Sequence, residues 1–114
     1  GYVHTLGGYR LYVPRERPYA ASCYIIQGTE AEIVRDAMVD VSDYTYNTKS
    51  CPYRMIMMVH DEIVLRSRKQ SMSHLKKIMN LMMNAGLKVG VPAKVDADIA
   101  YHNWAEKQEL QVAI

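Results

Sequence analysis

Residues 55–65 read MIMMVHDEIVL, and this stretch decides how the surrounding chain folds. Two apolar runs, 55–59 and 63–65, enclose three consecutive ionisable residues, His60, Asp61 and Glu62. Short apolar runs separated by a polar break are typical of paired β-strands. The sequence therefore predicts a hairpin, YRMIMMV followed by EIVLRS, with His60 and Asp61 at its tip. Because the strands are apolar, their charged tip must reach water, a metal ion or a substrate.

The composition indicates an ordinary globular protein but says little about its function. The chain has 114 residues, enough for one domain, with 49% hydrophobic and 23% charged residues, as in ordinary globular proteins. A net charge of +2 is too small to indicate a nucleic-acid partner by itself. No apolar run approaches the roughly 18 residues of a membrane span, and no secretion leader is evident. We therefore expect an intracellular, cytoplasmic protein with no membrane partner. The start at Gly1 rather than Met suggests processing or a piece of something longer.

The remaining polar residues give few signals of their own. Cys23 and Cys51 lack CxxC spacing and the four histidines are scattered, so a structural zinc site is not indicated. Basic residues cluster in 10–17 and again in 66–69. Such clusters can meet phosphates, although a solvated basic face is the commoner explanation.

The rest of the chain predicts an α+β fold. Two short strands flank a turn at Leu6-Gly7-Gly8. Thr29 and Glu32 have the spacing of a capping box and predict a helix start, although the helix could begin earlier, near Ala20. A second helix is predicted over 71–85, with an inner stripe of Met72, Leu75, Ile78, Met79 and Met82. With an edge strand near 95–99, the order is β-β-α-β-β-α-β, an antiparallel sheet with helices packed on one face.

The tip has two interpretations from its residues alone. A charged turn is the plain one, because aspartate is common at turns. Against it, Asp61 and Glu62 repel by about 4 kcal/mol at roughly 4 Å and an effective dielectric near 20, and a bound cation would relieve this repulsion. Mg²⁺ typically takes one or two carboxylates plus substrate phosphates. A two-metal site would need further carboxylates from another segment.

At this point the sequence resembles a known family. The stretch MIMMVHDEIVL closely resembles motif C of family A DNA polymerases, the group of bacterial polymerase I and many phage enzymes. GYVHTLGGYRLYVP is similar to the family's G-Y-V-x-T-x-x-G-R-R segment, and IIQGTEAEIVRDAMV to its Q-G-T-A-A-D-I-I-K-x-A-M helix. VPAKVDADIAYHNWAE resembles its closing strand and terminal N-W. The matches occur in order and cover most of the chain.

The resemblance implies a role for each of five residues. Asp61 would bind metal and Glu62 would support or indirectly coordinate it, both as catalytic residues. His60 would contact the primer terminus, Gln27 the minor groove, and Arg10 the primer-template backbone. The implied reaction is DNA-directed DNA synthesis, in which two Mg²⁺ ions assist transfer from a dNTP to a primer 3′-hydroxyl on primer-template DNA. The implied setting is a bacterial or phage-infected cell.

The chain also departs from the family's pattern. Tyr9 stands where the family usually has arginine, and Tyr19 stands where its cellular members usually have arginine. Cys23 stands where the family has a minor-groove asparagine, and the short loop 14–19 indicates a phage-like source. The segment with the other catalytic aspartate (motif A) and the fingers is not among these residues. Asp96 and Asp98 are poor substitutes, because the family's matching strand is structural.

These departures leave more than one function open. Residues 1–114 are expected to form the C-terminal part of a polymerase palm, inactive alone, with the remaining polymerase segment as partner in the same or a separate chain. The alternative is a non-catalytic palm-derived module that binds DNA or a partner protein. A one-metal nuclease using Asp61 and Glu62 is a third, weaker possibility.

Overall fold

A computed structural model of the protein describes residues 1–112. Its helices and strands are, in chain order, β1 (Tyr2–His4), β2 (Arg10–Tyr12), α1 (Ala21–Asn47), β3 (Arg54–Val59), β4 (Glu62–Arg66), α2 (Met72–Leu87), β5 (Ala97–Ile99) and β6 (Gln108–Leu110). Short 3₁₀ turns cover Pro18–Ala20 and Trp104–Glu106. The α+β class and the predicted order are confirmed, with β6 as an additional strand. Neither of the two helices has the length and apolar character needed to cross a bilayer.

The strands form three separate two-stranded antiparallel sheets, β1–β2, β3–β4 and β5–β6, rather than one continuous sheet. In the middle sheet Val59 pairs with Glu62, so only His60 and Asp61 form the turn, as the sequence predicted. The register shifts between Met55 and Met57, which marks a bulge in β3.

The hydrophobic core lies between the two helices and one side of the β3–β4 hairpin. Val41 of α1 and Ile78 of α2 are almost completely buried. Ile63 and Leu65, two residues apart on β4, pack against the same cluster because alternate strand residues share a face. The apolar part of β3 is less buried than its sequence suggests, since Ile56 remains 55% exposed.

Helix α2 follows its predicted stripe closely. Leu75, Ile78 and Met79 are buried, whereas Met72 in the first turn is exposed, contrary to expectation. The helix continues past residue 85, where the prediction ended it, so Gly86 lies inside the helix. A Cβ at Gly86 would come within 2.6 Å of the Val91 carbonyl oxygen, so the glycine lets the following loop pack against the helix.

Helix α1 begins at Ala21, and the predicted capping box is therefore wrong. Thr29 and Glu32 lie in the helix interior, and both are buried. The alternative start near Ala20 is the correct one. The helix also continues to Asn47.

The two capping-box residues instead hold the turn between β1 and β2. Glu32, only 4% exposed, accepts hydrogen bonds from the Thr5 hydroxyl and, at 3.1 Å, from the Gly7 backbone N–H. Thr29 Oγ1 accepts a hydrogen bond from Leu6 N–H at 3.1 Å and donates to the Ile25 carbonyl at 2.6 Å. We call Thr5, Thr29 and Glu32 the polar latch. It fixes the first hairpin to α1 by satisfying buried polar groups.

Gly28 lets the first hairpin approach α1. A Cβ at this position would lie 2.5 Å from Leu11 Cδ1 and 2.7 Å from Thr5 Cγ2, both closer than carbon atoms can approach. Glycine inside a helix costs about 1 kcal/mol relative to alanine. The close packing of β1 and β2 against α1 explains why it is used here.

Candidate active site at the turn between β3 and β4

The turn between β3 and β4 places its backbone in an unusual conformation. His60 has φ = 56°, the left-handed region, and no other non-glycine residue within 1–112 has a positive φ. A side chain in this region costs roughly 1–2 kcal/mol because Cβ crowds a carbonyl oxygen. Strained residues of this kind are often found at functional sites, where the surrounding structure holds them in place. The β3–β4 ladder does so here.

The two carboxylates of the tip have different surroundings. Asp61 is exposed in the turn itself. Glu62 begins β4 and is partly buried, with Oε1 3.8 Å from Nζ of Lys107. The same Nζ lies 4.0 Å from Oδ2 of Asp98. Lys107 therefore links β4 to β5 and partly offsets the repulsion between Glu62 and its acidic neighbour.

The acidic tip offers part of a coordination shell for a hard cation. Carboxylate oxygens are the ligands that Mg²⁺ prefers, and Mg²⁺ usually keeps several waters or phosphate oxygens besides them. Across residues 1–112, no cluster of three or more His, Cys, Asp or Glu side chains forms a metal site. The chemistry of the exposed Asp61 carboxylate thus fits Mg²⁺, with most of the shell left to other ligands.

A groove of about 380 Å³ runs between the first hairpin, α1 and the tip. Arg10 of β2 and His60 of the turn both line it, so two of the residues singled out from the sequence share one surface. Met58 lies beside them in the wall. Gln27 does not line the groove. It is exposed on α1, one residue before Gly28, which does.

Sequence reasoning missed two basic residues near the site. Arg35 lines the groove together with Gly28, Ala31 and Glu32. These positions follow the i, i+3, i+4, i+7 spacing of one helix face, a signal that could have identified Arg35. Lys107 gave no such signal, because its position beside Glu62 depends on how the C-terminal strands fold back.

Comparisons with known proteins show the family of the chain. The family model for DNA polymerase family A matches residues 1–106. The chain belongs to DNA polymerase family A.

Individual relatives are bacterial and phage proteins. DNA polymerase I of Bacillus subtilis (strain 168) is 32% identical over 106 residues, which cover 84% of this chain and 12% of the relative. DNA polymerase I of Pseudomonas aeruginosa is 33% identical over 93% of this chain and 12% of the relative. DNA polymerase DpoZ of Salmonella phage PMBT28 is 30% identical over 96% of this chain and 18% of the relative. The chain thus spans less than a fifth of the length of each. No solved structure matches it.

Proposed function

We propose that this chain is part of a DNA-directed DNA polymerase and forms the C-terminal part of its palm, with motif C at the β3–β4 turn. The observation that carries the proposal is the exposed Asp61 on a two-residue turn between two paired strands. Paired strands make a rigid platform, and a catalytic carboxylate must be held within about 0.5 Å of its working position. Family membership supplies the reaction class.

The proposed reaction is nucleotidyl transfer. The 3′-hydroxyl of a primer attacks the α-phosphate of a dNTP, the bond to the β-phosphate breaks, and pyrophosphate leaves. Bound Mg²⁺ ions would neutralise the charge that develops on the phosphoryl oxygens. Asp61 would hold these ions, and further carboxylates would come from the segment of the polymerase that carries motif A.

The other residues around the turn orient the substrates. His60, which lines the groove, would contact the primer terminus. Arg10 lines the same groove and would contact the DNA backbone. Gln27, exposed on α1, would reach the minor groove of the duplex. Glu62, restrained near Lys107, would support Asp61 and its metal ligands rather than bind substrate.

The proposal is tested by restoring the rest of the enzyme. Residues 1–106 replace the matching segment of Bacillus subtilis DNA polymerase I, and extension of a primer is measured with dNTPs and Mg²⁺. We expect Asp61→Asn to reduce extension by at least about 10³-fold, because several kcal/mol of charge stabilisation is lost. Asp43→Asn, which removes an exposed carboxylate from α1, is the matched control and should leave extension unchanged.

Two results would contradict the proposal. Extension by the Asp61→Asn chimera at the level of the Asp43→Asn chimera would remove Asp61 from the chemistry. A folded chimera that binds primer-template DNA but never extends it would favour the non-catalytic module instead. If the chimera with Bacillus subtilis DNA polymerase I does not fold, the same segment is placed in DNA polymerase DpoZ instead.

A further inference from the structure

We propose that Arg35 of α1 contacts a backbone phosphate of the DNA strand that lies in the groove, and that Tyr9 positions its guanidinium for this contact. The inference rests on the proposed function, since both place a DNA strand beside the β3–β4 turn. It adds to Arg10 of β2 a second arginine in the lining of the same groove, from α1.

Both arginines of the groove stack on tyrosine rings. The Arg35 guanidinium carbon lies 5.2 Å from the centre of the Tyr9 ring, and that of Arg10 lies 4.4 Å from the centre of the Tyr2 ring. Stacking on an aromatic ring restrains a guanidinium through contact with its flat face. Its N–H donors, which point outward in that plane, stay available for phosphate oxygens.

The positive charge of these arginines is not neutralised by nearby carboxylates. Within residues 1–112, the ion pairs shorter than 4.0 Å or at that limit involve Lys88 and Lys107. The acid of the groove, Glu32, is only 4% exposed and bound to the turn of the first hairpin. A groove lined by Arg10 and Arg35, with its acid buried, favours an anionic occupant.

The arrangement of the walls favours a phosphodiester strand as this occupant. Arg10 approaches from β2, Arg35 from α1 and His60 from the turn, so an anion in the groove meets basic groups from three separate elements. His60, in the lining of the groove, directly precedes Asp61 of the turn. A strand whose phosphates contact the two arginines would therefore lead its sugar toward the acidic tip.

Tyr9 takes the place of a residue that the family usually has as arginine. Its ring is 60% exposed, so burial in the core does not explain it. Stacking under Arg35 gives the ring a role, because it restricts a long side chain that would otherwise sample many rotamers. Tyr9 is thus a positioning residue. Arg35 of α1 supplies the positive charge that an arginine at position 9 would have provided.

The test is the salt dependence of DNA binding by the full 114-residue chain, measured by fluorescence anisotropy with a labelled primer–template duplex. Loss of one phosphate contact makes the slope of log K against log[salt] less negative by about 0.9. We expect this change for Arg35→Gln, with about 10-fold weaker binding at low salt, since hydrogen bonds to charged groups are the strong ones. Arg35→Lys keeps the charge and should keep the slope.

Three further variants distinguish a phosphate contact by Arg35 from a general effect of positive charge, and test the role of the Tyr9 ring. Lys77→Gln removes the same charge from an exposed site on α2, outside the groove, and should leave the slope unchanged. Tyr9→Phe retains the ring and should bind as the wild type does. Tyr9→Leu removes the ring and should weaken binding several-fold while the slope stays nearly constant, because the charge of Arg35 remains.

The inference is overturned if the wild type binds no DNA, if Arg35→Gln matches it in affinity and slope, or if Lys77→Gln causes an equal loss. It is also overturned for Tyr9 if the phenylalanine and leucine variants bind alike. These results are independent of the Asp61 chimera. Extension that depends on Asp61 together with an unchanged Arg35→Gln slope would remove the phosphate contact and leave the proposed function standing.

Discussion

The two hairpins of the molecule are fixed in opposite ways. The turn of the β1–β2 hairpin is held against α1 by the polar latch, with its backbone N–H groups bound to buried side chains. The β3–β4 hairpin is held along its strands by apolar packing of Ile63 and Leu65, and its turn is exposed. A turn whose N–H groups are bound to buried side chains has fewer groups left for a ligand than a turn that projects from a packed base. The difference favours the second hairpin as the location of the proposed chemistry.

The largest loss of stability is expected from a substitution of Glu32 in the polar latch of the first hairpin. Glu32→Ala leaves the Thr5 hydroxyl and the Gly7 N–H without their acceptor, and we expect a loss of about 3 kcal/mol in the free energy of unfolding. Urea denaturation followed by circular dichroism measures it. Glu30→Ala, an exposed glutamate two residues away, should change stability by less than about 0.5 kcal/mol. Equal effects of the two substitutions would show that the polar latch does not hold the hairpin.

A smaller effect is expected from Gly28. Gly28→Ala forces Leu11 and Thr5 away from α1, which costs about 1–3 kcal/mol, partly offset by the roughly 1 kcal/mol gained from the better helix former. We therefore expect a net loss near 1 kcal/mol. The double variant Gly28→Ala/Leu11→Ala should recover at least about 0.5 kcal/mol relative to the sum of the single changes. Simple additivity would mean that the close approach is not the reason for the glycine.

The smallest change in stability is expected from substitutions of His60, which test whether the β3–β4 turn is strained. His60→Gly relieves the left-handed strain but adds freedom to the unfolded chain, so a gain of about 0.5 kcal/mol is expected, whereas His60→Val should lose about 1 kcal/mol. Thermal unfolding compares the two. His102→Gly is the control, because His102 has no positive φ and should gain nothing. A loss at His60→Gly equal to that at His102→Gly would indicate that the turn carries no strain.

The sequence predicts the features that local patterns determine. The break at His60, Asp61 and Glu62 between apolar runs placed the turn correctly, because strand pairing across a short turn depends on neighbouring residues. The stripe of α2 was predicted for the same reason. The division of the strands into three sheets was not, since it depends on which strand edges meet in space.

The errors arise where a local signal has a tertiary explanation. Thr29 and Glu32 match a capping box in their spacing, but their partners are Leu6, Thr5 and Gly7, more than twenty residues away. Nothing within α1 reveals those partners. Lys107 is likewise distant from Glu62 in the chain, and only the fold brings the two side chains together.

One residue at the base of the second hairpin controls how accurately its far end is placed. Nη1 of Arg54 lies within 3.0 Å of the carbonyl oxygens of Thr45, Cys51 and Tyr53, so a single group clamps the end of α1 to the start of β3. From this pivot the strand extends about 17 Å at 3.3 Å per residue. A rotation of about 5° at the pivot would move the far end by about 1.5 Å, a displacement large enough to cost an enzyme roughly 10²-fold in rate. The hydrogen bonds of Arg54 therefore restrain the orientation of the β3–β4 hairpin relative to α1.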